Sequence, residues 1–296
     1  MPILSYKKLT TFNPFLYILF VTLCIASLSG CVTVVSKAGE KVGSNLSKAI
    51  LNSNDLETIR AGTPAYLILM DSLIQAEPES SQLLISAAQI TNAYAGAFVE
   101  KPERAKILSD KSLDYSGRAA CLHKVELCAL NEKTFDEFKQ SISTLSSEDV
   151  SYLYTLGASW ASWIQAHSDD WNSIAQMARV QLIMEKVVEI DEYHDDGGAH
   201  LYLGTLASLL PPALGGKPEV GKKHFTRAIE ISKGQNLLVK TMYAELYARL
   251  VFDQKLHDQL LKEVLASNPI APNLTLVNTF AQKKAKALLA ESPEYF

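Results

Sequence analysis

An internal sequence repeat, called the echo below, is the feature that most constrains how this chain can fold. Residues 101–116, KPERAKILSDKSLDYS, align without gaps to residues 217–232, KPEVGKKHFTRAIEIS. Weaker copies of the second half of this segment occur at residues 184–191 and 261–269. Such self-similarity is typical of proteins that stack one supersecondary unit several times. Because strand-type alternation is scarce, we predict that the repeated unit is helical.

Helix pairs are predicted around these segments. Phe225, Ala228 and the closing Pro269 fit the second helix of a tetratricopeptide repeat, and the Leu-Gly steps at Gly157 and Gly204 fit its first helix. Two loops, one after Trp163 and one from Leu210, are longer than the standard unit allows. The sequence predicts an all-α, tetratricopeptide-like helical-repeat solenoid with degenerate repeats and inserted loops, in a single domain over residues 46–296.

Local signals place the first helices of this domain. Thr63-Pro64 is predicted to open a helix, with Thr63 as N-cap and Pro64 at the first helical position. Glu77-Pro78 is expected to end that helix. A second helix is predicted over residues 83–99, and Lys101-Pro102 restarts the chain.

The first thirty residues have the pattern of a secretory signal peptide. Lys7 and Lys8 precede an apolar run over residues 15–28. As a helix this run is about 21 Å long, short of the roughly 30 Å hydrocarbon layer of a bilayer. The run ends in Leu28-Ser29-Gly30-Cys31, which resembles the lipobox of bacterial lipoproteins. The alternative is a plain secretory signal that happens to have a Cys beside its cleavage site.

The lipobox resemblance implies that cleavage precedes Cys31 and that diacylglycerol and an acyl chain such as palmitate are attached there. Several acyl chains anchor a protein to a bilayer almost irreversibly. Val32, where an Asp would retain the protein at the inner membrane, favours the outer membrane, facing the periplasm. We therefore expect residues 1–30 to be removed and residues 31–45 to form a lipidated tether.

Charge and motifs exclude several function classes. Without Lys7 and Lys8, 26 basic residues face 32 acidic ones, a net charge of −6, so a nucleic-acid partner is not expected. No phosphate loop, nucleophile elbow or zinc signature is present, which predicts neither an enzyme nor a cofactor. Two histidines six residues apart, His194 and His200, flank Asp195-Asp196, but this spacing favours an acidic helix cap over a metal site.

Cys121 and Cys128 are the two cysteines that remain for pairing in an oxidising compartment. Along an intact helix their Cα atoms would be about 10.5 Å apart, beyond the roughly 7 Å limit for a disulfide. A disulfide therefore requires the helix to end between them. Two buried thiols are the alternative.

Aromatic and polar residues supply candidates for a binding groove between the helices at 150–167 and 198–210. Small residues beside large rings can line a groove, although such rings more often pack in the core. Asn278 is either a satisfied core amide or a polar group that faces a cleft. The candidate ligand- or partner-binding residues are Tyr154, Trp160, Trp163, His200, Tyr202 and Asn278.

Taken together, these segments resemble a known family, the T component (TatT-like lipoproteins) of tripartite ATP-independent periplasmic (TRAP) transporters. The resemblance covers essentially the whole mature chain. The segments that carry it best are GTPAYL at 62–67, GGAHLYLG at 197–204, LPPALGGKPE at 210–219 and HFTRAIE at 224–230.

The resemblance implies a periplasmic, tetratricopeptide-like lipoprotein that forms a homo-oligomer, a trimer by analogy. It also implies that the protein docks a TRAP-type solute-binding protein and assists uptake of a small organic acid, for which a hydrophobic acid is a candidate. A solenoid of helix pairs presents a long concave face, which suits binding. The alternative is a scaffold lipoprotein for envelope or outer-membrane assembly that has no transport ligand.

Overall fold

The computed structural model describes residues 45–296. Within them the chain folds into twelve α-helices and contains no strand, so the expected all-α class is confirmed for this part. None of its helices is both long and apolar enough to cross a bilayer. The predicted signal peptide, Cys31 and the tether up to residue 44 lie outside the described residues.

The helices follow one another with mostly short connections. The first six are α1 (Leu56–Ala76), α2 (Ser81–Phe98), α3 (Pro102–His123), α4 (Phe135–Ser143), α5 (Val150–Ala166) and α6 (Trp171–Ile174). The other six are α7 (Met177–Asp191), α8 (Gly198–Ala207), α9 (Pro218–Ile231), α10 (Leu237–Met242), α11 (Gln254–Ala266) and α12 (Thr275–Tyr295). Residues 45–51 are also helical, and a π-helical segment, Tyr243–Ala248, continues α10.

The first helix begins earlier than predicted. Asp55 caps α1, because its carboxylate accepts hydrogen bonds from two backbone N–H groups of the first turn. Pro64 lies inside the helix, and the Thr63 hydroxyl donates to the Ile59 carbonyl at 2.7 Å. The prediction that Thr63-Pro64 opens a helix was therefore wrong. A proline removes only one backbone hydrogen bond, and the cap at Asp55 starts the helix well before it.

The two halves of the internal echo form helices that begin at matching positions. Helix α3 begins at Pro102 and α9 at Pro218, each with a Lys as N-cap. Proline is favoured there because the first-turn N–H groups of a helix have no intrahelical partner. The helical nature of the repeated segment is thus confirmed, and its stacking into a repeat solenoid stays a prediction.

Glycines allow the paired helices to approach closely. A Cβ added at Gly157 in α5 would lie 2.5 Å from Ile183 Cγ2 of α7. A Cβ at Gly204 in α8 would lie 3.0 Å from the Phe225 ring of α9. The two Leu-Gly steps of the sequence therefore have the same physical role, because each removes the side chain that would hold its partner helix away.

Three hydrophobic clusters lie along the order of helices. The first is built on α1 to α3 around Met70, the second mainly on α4 to α8 around Ile183, and the third on α9 to α12 around Phe225. Tyr152 at the start of α5 packs against both the first and the second cluster. Consecutive helices thus share apolar surface along the chain, which holds α5 and α8 in place for the site described next.

Candidate functional site

Side chains from three helices meet where α5 approaches α8. The rings of Tyr154 on α5 and Tyr202 on α8 pack edge to face, with centroids 6.0 Å apart. Asn92 of α2 lies beside the Tyr202 hydroxyl. Its Oδ1 atom is buried and accepts no hydrogen bond from the residues that the structure describes. We call Asn92, Tyr154, Tyr202 and the nearby Asp195 the Tyr154 cluster.

The loop before α8 supplies the carboxylate of this cluster. The Tyr154 hydroxyl donates a hydrogen bond to Asp195 Oδ2 at 2.6 Å. Asp195, Asp196 and Gly197 all have positive φ angles of 51°, 53° and 81°. The left-handed conformation is strained for the two aspartates and easy for the glycine, and three such residues in succession form a sharp turn. The turn aims Asp195 at α5.

The acidic residues before α8, expected to cap a helix, form no capping hydrogen bond with it. Helix α8 has Gly197 as its N-cap and no side-chain hydrogen bond to its first turn. Asp195 accepts the hydrogen bond of Tyr154 instead, with its Oδ2 beside Gly198, the first residue of α8. Asp196 is partly desolvated, and burial together with the negative charge of Asp195 raises its pKa.

Both tyrosines of the cluster remain protonated at physiological pH. Burial raises the pKa of Tyr154 well above its usual value, and the Asp195 charge adds to this. Burial and Asp195 also raise the pKa of Tyr202 to about 12, although the Asn92 amide acts in the opposite direction. The phenols can therefore donate hydrogen bonds but cannot act as anionic nucleophiles or bases, which suits a binding surface.

On α8, His200 belongs to a separate group of charges. Its Nδ1 lies 2.8 Å from His224 Nδ1, and its Nε2 lies 3.4 Å from Glu192 Oε2. Arg227 holds the same Glu192 carboxylate with two hydrogen bonds of 2.6 and 3.0 Å. We call these four residues the His200 cluster. Arg227, with burial opposing it, lowers the pKa of Glu192 to about 2.

The two imidazoles of this cluster are close to neutral. Burial lowers the pKa of His200 against the attraction of Glu192, and burial followed by the charge of His200 lowers the pKa of His224. His200 is buried, whereas His224 is half-buried. One N–H between the Nδ1 atoms suffices for a hydrogen bond, and two would repel. The predicted binding residue His200 therefore lies under the surface as part of an ionic network.

Trp163 lies at the other end of α5, half-buried between α5 and α3. Its Nε1 donates to Asp110 Oδ1 at 2.8 Å, and its ring stacks on His167 with centroids 4.8 Å apart. The structure thus separates Trp163 from the Tyr154 cluster by about two to three turns of helix. Trp163 and Tyr154 do not share one pocket.

Two other candidate residues are placed in the core, which corrects their interpretation as groove residues. Trp160 is 3% exposed and packs edge-on against Phe138 in the second hydrophobic cluster. Asn278 is fully buried. Its Oδ1 accepts from the Leu237 N–H, and its Nδ2 donates to two backbone carbonyls, at 2.9 and 3.1 Å. A satisfied buried amide stabilises the fold and has nothing left to offer a ligand.

Cys121 and Cys128 are joined in a disulfide, with Cα atoms 4.3 Å apart. Helix α3 ends at His123, between the two cysteines, as a bond requires. The loop they close presents His123 and Lys124 to Asp149, which is 1% exposed and accepts from both at 2.9 Å. The disulfide loop therefore fastens the end of α3 to the start of α5.

In the described part of the chain, no group of three or more His, Cys, Asp or Glu side chains is arranged to hold a metal ion. Sequence reasoning missed Asn92, Asp110 and Asp195 as partners of Tyr202, Trp163 and Tyr154. Asp195 carried a signal, since the Asp-Asp-Gly-Gly run is unusual between helices. Nothing in the local sequence marked Asn92.

A comparison with protein families decides the broader class. The family model described as the TRAP transporter T-component matches residues 52–296, from just before α1 to the end of α12. The chain belongs to the TRAP transporter T-component family. Membership of this family indicates a role for the T-component in TRAP transport. A search of curated proteins finds no match to this T-component.

Proposed function

We propose that this T-component is a periplasmic binding module that docks a TRAP-type solute-binding protein and assists uptake of a small organic acid. The observation that carries the proposal is the family match over residues 52–296. The site supports it physically, because the Tyr154 cluster offers neutral donors and aromatic rings and lacks an activated nucleophile.

The proposed groove follows the face shared by α2, α5 and α8. Tyr202 and the free Oδ1 of Asn92 supply polar contacts, and the ring of Tyr154 supplies an apolar wall. The Tyr154 hydroxyl already donates its hydrogen bond to Asp195. The Tyr202 hydroxyl is therefore the donor available to an acid. An acid of mostly apolar surface suits this groove better than a polyanion, because Asp195 and Asp196 would repel extra charge.

Binding is tested with Tyr202→Phe, which removes the proposed donor and keeps the ring. The matched control is Tyr243→Phe, a buried tyrosine of the third hydrophobic cluster. We expect Tyr202→Phe to weaken binding of the acid about tenfold, the cost of one hydrogen bond of about 1.4 kcal/mol, with Tyr243→Phe unchanged. Equal affinities for both variants and the parent protein in a calorimetric titration would exclude this groove.

Docking is tested by titrating the cognate TRAP-type solute-binding protein into the purified T-component. Replacing Trp163 by Ala is expected to weaken the complex roughly thirtyfold if its indole is an anchor. A lower melting temperature with unchanged affinity would instead assign Trp163 to packing between α3 and α5. No complex with the parent protein at all would overturn the docking function and favour the scaffold alternative.

Anchoring at the outer membrane through a lipidated Cys31 is part of the proposal. The repeat solenoid and a trimeric assembly are proposed with it, supported by the echo of α3 and α9 and by family membership. Changing Cys31 to Ala should release the protein into the soluble periplasmic fraction. Continued co-sedimentation of Cys31→Ala with membranes would refute lipid anchoring.

A further inference from the structure

Trp171 is the most exposed large hydrophobic side chain in the described part of the chain. Its relative exposure is 82%, compared with 3% for Trp160. It begins α6 in the inserted loop after α5. An indole in water forgoes the stabilisation that burial of a large apolar side chain contributes. Such a large exposed ring therefore suits a contact with another molecule.

The loop that carries Trp171 is held in place by polar contacts. The Asp170 carboxylate accepts from the backbone N–H of Asn172 at 3.0 Å, and Ser173 is fully buried. On the preceding side, Lys106 of α3 donates to both oxygens of Asp169 at 2.8 and 2.9 Å. The backbone on each side of Trp171 is therefore fixed before any partner arrives, which lowers the entropy cost of binding.

The surroundings of Trp171 are acidic. Asp169 and Asp170 precede it directly. Asp110 lies on α3 one turn from Lys106, which holds Asp169, and accepts a hydrogen bond from Trp163. Lys106 balances Asp169, but within the described residues no Lys or Arg forms an ion pair with Asp110 or Asp170. The acidic rim around Trp171, formed by Asp110, Asp169 and Asp170, thus keeps a net negative charge. This charge attracts a positively charged surface on a partner.

We propose that Trp171 is the anchor with which this T-component docks the solute-binding protein, and that the indole enters an apolar pocket rimmed by Lys and Arg. The inference rests on the proposed function and adds the docking element and the partner's chemistry. Trp is enriched among interface residues that dominate binding energy, especially where they are rigidly presented. The acidic rim disfavours the same face of a second copy, since like charges would meet.

The test uses Trp171→Ala in the full-length protein after its extraction from the membrane. Its affinity for the solute-binding protein is measured by biolayer interferometry. The matched control is Ile68→Ala, which truncates another exposed apolar side chain, 70% exposed, on α1. We expect Trp171→Ala to weaken binding roughly thirtyfold. Ile68→Ala should bind as the parent does, and both variants should melt within a few degrees of it, because neither side chain is packed.

Each outcome bears on the proposal. Parent-like affinity of Trp171→Ala would overturn the anchor and leave the docking function standing. Absence of binding by the parent protein would overturn both. A reduced oligomeric mass of Trp171→Ala with unchanged affinity would assign the indole to self-association and overturn the anchor. The rate of association should fall with added salt, because salt screens the attraction between the acidic rim and the partner. A rate that does not depend on salt would show that the partner's pocket is not rimmed by Lys and Arg.

Discussion

The hydroxyl of Tyr154 donates a 2.6 Å hydrogen bond to Asp195 across 41 residues of sequence. This bond ties the middle of the chain, at α5, to the left-handed turn that leads into α8. It passes directly over Gly198, the first residue of α8. The candidate site therefore depends on a residue that has no side chain.

Gly198→Ala is expected to break this arrangement. A Cβ at Gly198 would collide with the Tyr154 hydroxyl and lie 2.9 Å from Asp195 Oδ2. We expect a loss of about 1–3 kcal/mol in the free energy of unfolding, from overpacking and a displaced hydrogen bond, measured by urea denaturation.

The matched control is Gly62→Ala on α1, where an added Cβ meets nothing within 4 Å. Alanine restricts the unfolded chain and favours a helix, so Gly62→Ala should be up to about 1 kcal/mol more stable than the parent. If Gly198→Ala behaves like Gly62→Ala, the close packing of Tyr154 over Gly198 is wrong.

Removal of the disulfide by Cys121→Ser is expected to lower stability by about 2.5 kcal/mol, the loop-closure entropy of a ring of this size. Cys128→Ser should cost the same, and the double variant no more, because either change opens the same ring. Trypsin cleaves after Lys124, between the cysteines, so linked peptides under non-reducing mass spectrometry report the bond. An alkylatable thiol at either position in periplasmic protein would contradict it.

Asp149→Asn is expected to give a pH-dependent loss of stability. Burial alone would raise the pKa of Asp149, but hydrogen bonds from Lys124, the Ser146 backbone and His123 outweigh it and lower the pKa to about 2. The unfolded carboxyl titrates near 3.9, so its contribution is complete above that pH and is lost as the pH falls toward 2.

At pH 7, Asp149→Asn should therefore be about 2 kcal/mol less stable than the parent, because Lys124 and His123 lose a charged acceptor. The difference should shrink between pH 4 and pH 2, as measured by chemical denaturation at each pH. A difference that stays constant over this range would show that the carboxylate charge contributes nothing.

The His200 cluster predicts sensitivity to mild acid. The folded-state pKa values of His200 and His224 lie below the value near 6.5 of an unfolded chain. The unfolded chain therefore binds more protons, so stability is full above pH 6.5 and falls as the pH drops below it. Glu192 and Arg227 face His200 and Glu185 faces His224, so the pair titrates within this set of charges.

In His224→Gln this slope of stability against pH between 7 and 5.5 should be smaller than in the parent. His200→Gln should reduce it as well, and the double variant should be less than additive, because the imidazoles interact directly at 2.8 Å. Parallel stability curves for the parent and His224→Gln would count against a proton-linked pair.

Much of the architecture follows from local sequence. The echo of residues 101–116 and 217–232 predicted two matching helices, and the structure begins them at Pro102 and Pro218. The Leu-Gly steps indicated where helices pair, since a glycine at helical spacing permits close approach whatever surrounds it. Prediction was weakest at Thr63-Pro64. Several polar residues in this stretch could cap the helix, and Asp55, which comes earlier in the chain, is the one that does.

The candidate site could be predicted only in its residue types. The sequence placed Tyr154 and Tyr202 on neighbouring helices, but it could not show that Asn92 and Asp195 join them, since these contacts span up to 110 residues of chain. It also could not separate Trp160 and Asn278, in the core, from Trp163 at an edge. Helical spacing gives the direction of a side chain, whereas the packing of other helices decides its burial.

The sequence by itself determined the helical class, the proline-led helix starts and the family resemblance, because these depend on short-range propensity and on motifs that are contiguous in the chain. Only the tertiary structure decided which rings are buried, which carboxylate each cation and phenol meets, and that Trp171 remains in water. Burial and charge pairing arise from contacts between distant segments, and those exist only once the helices have packed.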